Sequence, residues 1–355
     1  MNSPNKSTYF PALKGKAGEL QALKQAPASA RQAMIPILEL PVDEDSDIRD
    51  IATGMEKFAS ALCSSYAGAN FVIVDATVTD GVQIGGKPAV EDLHTRLRAA
   101  TAAIPVVTTG SSADFLAAVS AIAAIDGNGV CLRLGGTDFE NAGTLSSDVQ
   151  SIVATLGLAP SKMDLVLDLG YVDGNSATAY AGFVPLLIAS LPHVHDWRSL
   201  VVLSGAFPQS LSSFTPYAPQ RLKRHDADLW CRIVGSQPVR IPQYGDYATS
   251  HPTPGSPVGY RSAPNIRYTT GGEWYVVKTD MDRTVGNHTM FKIAAQLRDE
   301  SPSVLESSTF SWGDGEFHRL ANSDGGPGGG REWKAWATSH HLAAVITSLA
   351  TTGAP

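Results

Sequence analysis

The chain has 355 residues, of which 43% are hydrophobic and 17% are charged, and its formal net charge is -7. This composition is typical of a folded globular protein with a large core and excludes a disordered polyelectrolyte. The net negative charge argues against a nonspecific nucleic-acid binder, because such proteins need basic surface to displace counterions.

Seven short apolar runs recur through the first 205 residues, and each ends in a polar or charged residue. The stretches between them are rich in Ala, Leu, Ser and Gln and are long enough for a helix, an alternation that predicts a parallel sheet. The predicted strands cover residues 9–14, 35–39, 71–75, 104–108, 130–133, 165–168 and 200–204. The predicted helices cover residues 18–25, 48–66, 90–103, 112–125, 146–157, 176–191 and 219–234.

An eighth strand is needed to close these repeats into a barrel, and residues 239–247 are the best candidate. Pro242 and Gly245 both disfavour an interior strand position unless the strand carries a bulge. The length of the chain suits a single (β/α)8 barrel, since such barrels run from about 200 to over 400 residues. We therefore predict a (β/α)8 TIM-like barrel.

The strand and helix alternation stops near Asp246 and resumes only at an apolar helix over residues 339–350. Between them, residues 265–278 predict a hairpin around Gly271 and Gly272, and residues 290–299 predict a helix. A loop that leaves the eighth strand starts at the rim of the barrel. We therefore expect a barrel domain of residues 1–248 and 339–355, with residues 249–338 as a lid-like, hairpin-containing insertion over the barrel mouth.

Several segments resemble the Beta family of proteins, which phages and bacteria encode. The most specific is the opening run from Tyr9-Phe-Pro-Ala-Leu-Lys to Leu23, followed by Ile35-Pro-Ile-Leu-Glu39. Shorter matches are Tyr244-Gly-Asp-Tyr247, Asn265-Ile-Arg-Tyr268 and Trp333-Lys-Ala-Trp-Ala-Thr-Ser-His-His341. The resemblance covers most of the chain and implies a phage or phage-defence setting, but it implies no particular reaction.

Features that indicate compartment are few. No apolar run approaches the roughly 20 residues that span a bilayer, and the polar start lacks a signal-peptide core. We expect a cytoplasmic protein with no membrane partner. Three separated cysteines predict buried free thiols rather than a disulfide or metal framework: Cys63, Cys131 and Cys231. A local basic patch remains open at Arg221, Lys223, Arg224, Arg232 and Arg240.

The residues at the strand ends are the main candidates for chemistry, because the carboxyl ends of parallel strands meet at one rim. Taken as inward-facing, they are Lys14, Glu39, Asp75, Arg133, Asp168 and Asp246. Desolvating so many charges is costly unless they pair with each other, a metal or a ligand. The alternatives are an internal ion-pair network or strand ends that reach water. Glu19 can reach the mouth from the first helical turn or can complement the helix dipole.

The leading hypothesis is a metal-dependent hydrolase of phosphodiesterase type, acting on a phosphate-containing small molecule or nucleic-acid component. Glu39, Asp75 and Asp168 would hold Mg²⁺ or Mn²⁺ or act as acid and base. The predicted substrate-binding set is Lys14, Glu19, Arg133, Asp246, Arg267 and Tyr268. The alternative is a catalytically inert barrel that binds a phage or host protein or nucleic acid as a sensor or inhibitor, which the lack of a strong catalytic motif favours.

Overall fold

The computed structural model describes residues 7–43, 46–253, 263–280, 284 and 286–355. Its strands are β1 (Phe10–Leu13), β2 (Ile37–Glu39), β3 (Gly68–Asp75), β4 (Gln83–Ile84), β5 (Lys87–Pro88), β6 (Thr101–Val107), β7 (Val130–Gly135), β8 (Met163–Tyr171), β9 (Ser199–Gly205), β10 (Gln220–Lys223), β11 (Gln243–Asp246), β12 (Asn265–Thr270) and β13 (Glu273–Lys278). Its helices are α1 (Ala17–Gln25), α2 (Ala28–Gln32), α3 (Ile48–Ser65), α4 (Ala89–Leu97), α5 (Ala113–Asp126), α6 (Thr137–Glu140), α7 (Ala142–Leu156), α8 (Gly174–Ser190), α9 (His225–Gly235), α10 (Thr289–Asp299), α11 (Trp312–Ala321) and α12 (Gly330–Thr352).

Eight of these strands form a closed barrel in the order β1, β2, β3, β6, β7, β8, β9 and β11. Neighbouring strands of the barrel are parallel, and β11 closes it by pairing with both β1 and β9. This topology confirms the predicted (β/α)8 barrel. The carboxyl ends of the eight strands therefore share one rim, which we call the mouth.

Closure of the barrel depends on a glycine in the last strand. A Cβ atom on Gly245 would lie 2.9 Å from the carbonyl oxygen of Phe10 in β1 and 3.1 Å from a methyl group of Val201 in β9. Glycine at this position lets the two neighbouring strands, β1 and β9, pack closely against β11. Pro242, which lacks an amide donor, precedes β11, so the strand is shorter than residues 239–247.

The inner face of the barrel is filled by alternate strand residues, as the two-residue period of a strand requires. The buried members of this inner layer are Phe10, Ala12, Ile35, Ile37, Ile73, Ile104, Val106, Cys131, Val166, Val201, Leu203 and Tyr247. The intervening residues face the surrounding helices and join a second, larger apolar layer. An inward residue near a strand end is consequently followed two positions later by another that faces the mouth.

The insertion contains the predicted hairpin, in which Thr270 pairs with Glu273 across Gly271 and Gly272. Strand β10 joins this hairpin along β13, so the small antiparallel sheet has the order β10, β13, β12. The prediction of a helix over residues 219–234 is therefore wrong in its first part. The helix itself begins only at His225, because the preceding residues pair with β13 as a strand.

Two other predicted helix boundaries also change. The helix predicted over residues 90–103 ends at Leu97, and Thr101 already belongs to β6. The final helix begins at Gly330 rather than at residue 339, with the Glu332 carboxylate accepting from the Gly329 amide at 3.0 Å. Early residues of α12 pack in the insertion core and later ones against the barrel. The division into residues 1–248 with 339–355 and 249–338 stays a prediction.

The three cysteines are free, but their surroundings differ. Cys131 is buried inside the barrel, as expected, and Cys63 is half-buried. Cys231 is exposed on α9, so the prediction that all three thiols are buried is wrong. Within the described ranges, no helix is both long and apolar enough to cross a bilayer.

Candidate functional site

Five charged residues at the ends of β1, β2, β3, β7 and β8 point to the inner side of the barrel: Lys14, Glu39, Asp75, Arg133 and Asp168. Each follows an inner-layer residue by two positions, as Lys14 follows Ala12 and Arg133 follows Cys131. A glycine permits the sharp turn after Lys14: Gly15 has φ of +64°, and a Cβ there would lie 2.5 Å from the carbonyl oxygen of Glu39. Only glycine adopts this conformation at such a close approach without strain.

A single guanidinium joins the carboxylates of the mouth. Arg133 donates from Nη1 to Asp75 at 2.6 Å, and from Nη2 to Glu39 at 3.0 Å and to Asp168 at 2.7 Å. The Tyr247 hydroxyl donates to Asp168 at 2.6 Å, and the ammonium of Lys14 lies 2.5 Å from Glu39. We call this set the Arg133 network: Lys14, Glu39, Asp75, Arg133, Asp168 and Tyr247.

Attraction between opposite charges holds the Arg133 network together. Burial by itself would lower the pKa of Arg133, but Tyr247 and the three carboxylates raise it well above its usual value. Burial, reinforced by the negative charge of Asp168, raises the pKa of the Tyr247 hydroxyl, so this phenol stays protonated and donates. The arrangement matches the internal ion-pair network that the sequence left open as an alternative.

The proposed Mg²⁺ or Mn²⁺ site does not fit this geometry. Glu39, Asp75 and Asp168 direct oxygens at the guanidinium of Arg133, which lies where a shared cation would have to bind. Among the described residues, no cluster of three or more acidic, His or Cys side chains is placed to hold a metal ion. The metal assignment to these three carboxylates is therefore corrected, and their acid–base roles stay predictions.

Asp246 does not line the mouth. The inward residue at the end of β11 is Tyr247, so the preceding Asp246 faces the surrounding helices, where it is 1% exposed. It accepts hydrogen bonds from Tyr244 at 2.8 Å, Arg224 at 3.3 Å and Tyr9. The prediction that Asp246 binds substrate is corrected for this reason.

The side chains around Asp246 form a second buried cluster, on the outer face of the barrel. His341 of α12 hydrogen-bonds Asp246 at 2.9 Å and Thr269 at 2.7 Å, which links the barrel to the insertion. Arg224, considered above for a surface basic patch, is only 2% exposed. We call this cluster the Asp246 network: Tyr9, Arg224, Asp226, Tyr244, Asp246 and His341.

Tyr268 also lies away from the mouth. Its ring stacks on His340 with centroids 3.7 Å apart, and its hydroxyl donates to Asp314 at 2.5 Å in the insertion core. The side chain is fully buried, so it has no surface to offer a substrate. The structure thus corrects the substrate-binding role predicted for Tyr268, while its neighbour Arg267 faces the other way and reaches the mouth.

Above the Arg133 network lies a cavity of about 370 Å³, which we call the mouth cavity. The barrel and the insertion both contribute to its walls, which are formed by Lys14, Lys16, Glu19, Glu39, Leu40, Pro41, Val42, Asp43, Pro208, Gln209, Ser250, His251, Thr253, Arg267 and Lys334. Lys14 also donates to the carbonyl of Pro252, so the segment that leaves β11 is tied to β1. Segments on both sides of the predicted lid boundary therefore enclose one space.

The close packing of α1 against α12 brings Glu19 and Lys334 to the same wall. A Cβ on Gly18 would lie 2.6 Å from the carbonyl oxygen of Arg331, so only glycine allows the two helices to approach this closely. As a result, the Glu19 carboxylate lies 3.8 Å from the ammonium of Lys334. Glu19 also accepts from Ser250 at 3.2 Å.

Two cations of the mouth cavity have mainly neutral partners. Lys334 donates to the hydroxyls of Thr249 at 3.1 Å and Ser250 at 2.6 Å. Arg267 donates to the carbonyl of Thr249 at 2.7 Å and to the amide oxygen of Asn265 at 3.1 Å. Burial lowers the pKa of Lys334 to about 7, with nearby cations adding to the shift, and burial lowers the pKa of Arg267 to about 10. Both charges are therefore held at a cost that an anion would relieve.

Replacing Lys334 with Met should raise the melting temperature more at pH 6 than at pH 10. The folded state lowers the pKa of Lys334 from its unfolded value of about 10.4, so the penalty is complete below pH 7 and fades as the pH rises toward 10. Thermal melts of both proteins across this range measure the difference. The exposed Lys24→Met variant should shift little at either pH, and an equal response of the two variants would contradict the assignment.

The sequence analysis missed two residues of the site. Lys334 has no predicted role, although a lone lysine between two buried tryptophans, Trp333 and Trp336, is itself a signal. Tyr247 lies within the predicted strand of residues 239–247, but the prediction gives the inward position to Asp246. The two-residue period of a strand does not by itself decide whether Asp246 or Tyr247 faces inward. The observed register of β11 with β1 and β9 decides it in favour of Tyr247.

Comparison with known proteins identifies a family. A model of the Beta protein family matches residues 9–347, and the chain belongs to this family. No curated protein matches the chain. Among solved structures, it is similar to a type I 3-dehydroquinate dehydratase from Clostridium difficile (9% identity, 72% of this chain and 90% of that one, TM-score 0.38). It is also similar to the triosephosphate isomerase of Bartonella henselae (12%, 68% and 92%, TM-score 0.35). These likenesses carry no argument about activity.

Proposed function

We propose that this member of the Beta protein family binds a phosphate-containing small molecule or nucleic-acid component in the mouth cavity. The observation that carries the proposal is the pair Arg267 and Lys334, two half-buried cations on the cavity wall whose hydrogen bonds go to neutral oxygens, with the Glu19 carboxylate 3.8 Å from Lys334. An anionic oxygen such as that of a phosphate binds these donors more strongly than a neutral oxygen does, because opposite charges attract in addition to the hydrogen bond.

The Arg133 network serves this site as its fixed floor. It holds Glu39 and Lys14 in place at the base of the cavity, and Lys14 in turn fixes the Pro252 segment. Because the network combines three carboxylates with only two cations, it adds no net attraction for an anion. The cations placed to bind an anion are on the wall of the mouth cavity, outside the Arg133 network: Lys16, Arg267 and Lys334.

Whether the bound ligand is also hydrolysed separates an enzyme from a sensor or inhibitor in a phage setting. The sequence-predicted acids Glu39, Asp75 and Asp168 all bind Arg133, which favours binding without turnover. In the hydrolase form, Lys334 and Glu19 are the acid–base pair at the cavity wall; at 3.8 Å from each other they would exchange a proton through the ligand or a water rather than directly. Both forms of the proposal place the protein in the cytoplasm, where phosphorylated metabolites are abundant.

Titration calorimetry with pyrophosphate tests the proposal. We expect the Arg267→Met and Lys334→Met variants each to lose about tenfold or more in affinity, because a hydrogen bond to a charged group contributes about 1.5–3 kcal/mol. The matched controls Arg49→Met and Lys24→Met remove exposed charges and should bind as the wild type does. Equal affinity in all four variants, or no binding to the wild type, would refute the proposed site.

The affinity for sulfate should fall as the pH rises above 7. Sulfate keeps its charge of two across this range, so the change reports the protein, and an anion prefers the protonated form of Lys334, whose pKa is about 7. The expected limit is about tenfold per pH unit if only that form binds. Calorimetry from pH 6 to 9 measures the slope, which should be nearly absent in Lys334→Met; the same slope in the variant would show that another group titrates.

A further inference from the structure

A second cavity, of about 560 Å³, opens at the same rim beside the carboxyl ends of β7 and β8. We call it the aromatic cavity, and it is lined by Gly135, Gly136, Phe139, Glu140, Asp168, Leu169, Gly170, Tyr180 and Phe183. Three of these residues are rings and three are glycines, while none is a cation. Its character is therefore opposite to that of the mouth cavity.

Each cavity is lined by a carboxylate that binds the same guanidinium. Asp168 lines the aromatic cavity and Glu39 lines the mouth cavity, and both carboxylates accept from the Nη2 atom of Arg133, at 2.7 Å and 3.0 Å. A second link crosses the rim, where Tyr171 at the end of β8 stacks on His251 of the mouth cavity with centroids 4.8 Å apart. The two cavities are therefore neighbours at one rim, with Asp168, Arg133 and Glu39 between them.

The lining of the aromatic cavity suits a flat ring that carries hydrogen-bond donors. Phe139 and Phe183 meet edge to face, with centroids 6.4 Å apart and planes at 71°, which leaves ring surface for stacking. The glycine backbone lets a ring approach closely, as at Gly136 and Gly170, which have φ of +52° and +64°. The exposed carboxylate of Glu140 accepts N–H or O–H donors and repels phosphate.

We infer that the ligand is a nucleotide, with its phosphate in the cationic mouth cavity and its base and sugar in the aromatic cavity. This inference rests on the proposed phosphate site and adds the second half of the ligand. Charge complementarity sets the orientation, since the described lining of the mouth cavity has four cations against three carboxylates, whereas that of the aromatic cavity has two carboxylates and no cation. Both volumes lie within the range of about 300–1,000 Å³ that is typical of small-molecule sites.

The test compares inorganic phosphate, adenosine and the four monophosphates AMP, GMP, CMP and UMP by titration calorimetry. At least one monophosphate should bind tenfold or more tighter than phosphate and than adenosine. In Tyr180→Leu this preference over phosphate should fall at least fivefold, while phosphate affinity stays unchanged. The matched control Phe291→Leu removes a ring from α10, away from both cavities, and should keep the preference.

A second variant guards against misfolding, since Tyr180 is partly packed against the core. Glu140→Gln alters an exposed side chain and should reduce monophosphate binding about threefold or more without changing phosphate binding, whereas Glu56→Gln should change neither. Phosphate binding with no monophosphate preference would overturn the inference and leave the phosphate site standing. Adenosine binding as tightly as AMP would overturn it as well. No binding of phosphate, pyrophosphate or any nucleotide would refute the proposed function itself.

Discussion

Replacing Arg133 with Met should lower the free energy of unfolding by about 3–5 kcal/mol. The substitution keeps much of the side-chain length but leaves Glu39, Asp75 and Asp168 facing one another, with Lys14 as the one counter-charge that the described part of the chain pairs with them. Removing one partner of a buried ion pair is costly because the other charge stays buried without compensation. Denaturation with urea measures the loss.

Two further variants show whether the loss comes from the network. Arg133→Lys retains the charge but cannot reach three carboxylates with a planar fork, so its loss should be intermediate. Arg96→Met breaks an exposed ion pair with Asp92 and should change stability by less than about 1 kcal/mol. The contrary result would be an Arg133→Met variant that lowers the free energy of unfolding no more than Arg96→Met does. That result would mean that water solvates the three carboxylates, as at ordinary strand ends.

The barrel was predictable from the sequence because its signal is repeated. Apolar runs that end in a polar or charged residue recur at the first seven barrel strands, and the inward direction of Lys14, Glu39 and Asp75 follows from counting two residues along each one. That count says which face a residue occupies but not what it binds. The pairing of the Glu39, Asp75 and Asp168 carboxylates with Arg133 depends on distances across the barrel, which no local pattern encodes.

Asp246 shows where the same reasoning fails. The Tyr244-Gly-Asp-Tyr247 run is too short and too polar to reveal its register, so either Asp246 or Tyr247 could have faced the mouth. The close approach of Gly245 to Phe10 settles the register in the folded chain. Lys334 was hard to find for a different reason, since its place in the mouth cavity depends on the packing of α12 against α1 at Gly18.

Replacing Asp246 with Asn should destabilise the fold by about 3–5 kcal/mol, although the residue lies outside the proposed site. Arg224, 2% exposed, would keep only Asp226 as a carboxylate partner, at 3.8 Å. His341, which also connects the barrel to Thr269 of the insertion, would lose its charged partner. Urea denaturation at pH 7 measures the effect. Asp299→Asn, which breaks an exposed pair with Arg298, should change stability by less than about 1 kcal/mol.

The pH dependence of this loss identifies the charge of Asp246 as its cause. Burial by itself would raise the pKa of Asp246, but His341 and Arg224 hold it well below its usual value. A carboxylate with a lowered pKa stabilises the fold fully above its unfolded pKa of about 3.9, and this contribution is lost as the pH falls further. The difference between the wild type and Asp246→Asn should therefore be constant from about pH 7 to 8, where His341 is neutral because burial lowers its pKa, and should shrink below about pH 4. A difference that stays constant into acid would assign the loss to altered packing, because packing does not depend on whether this carboxylate is ionised.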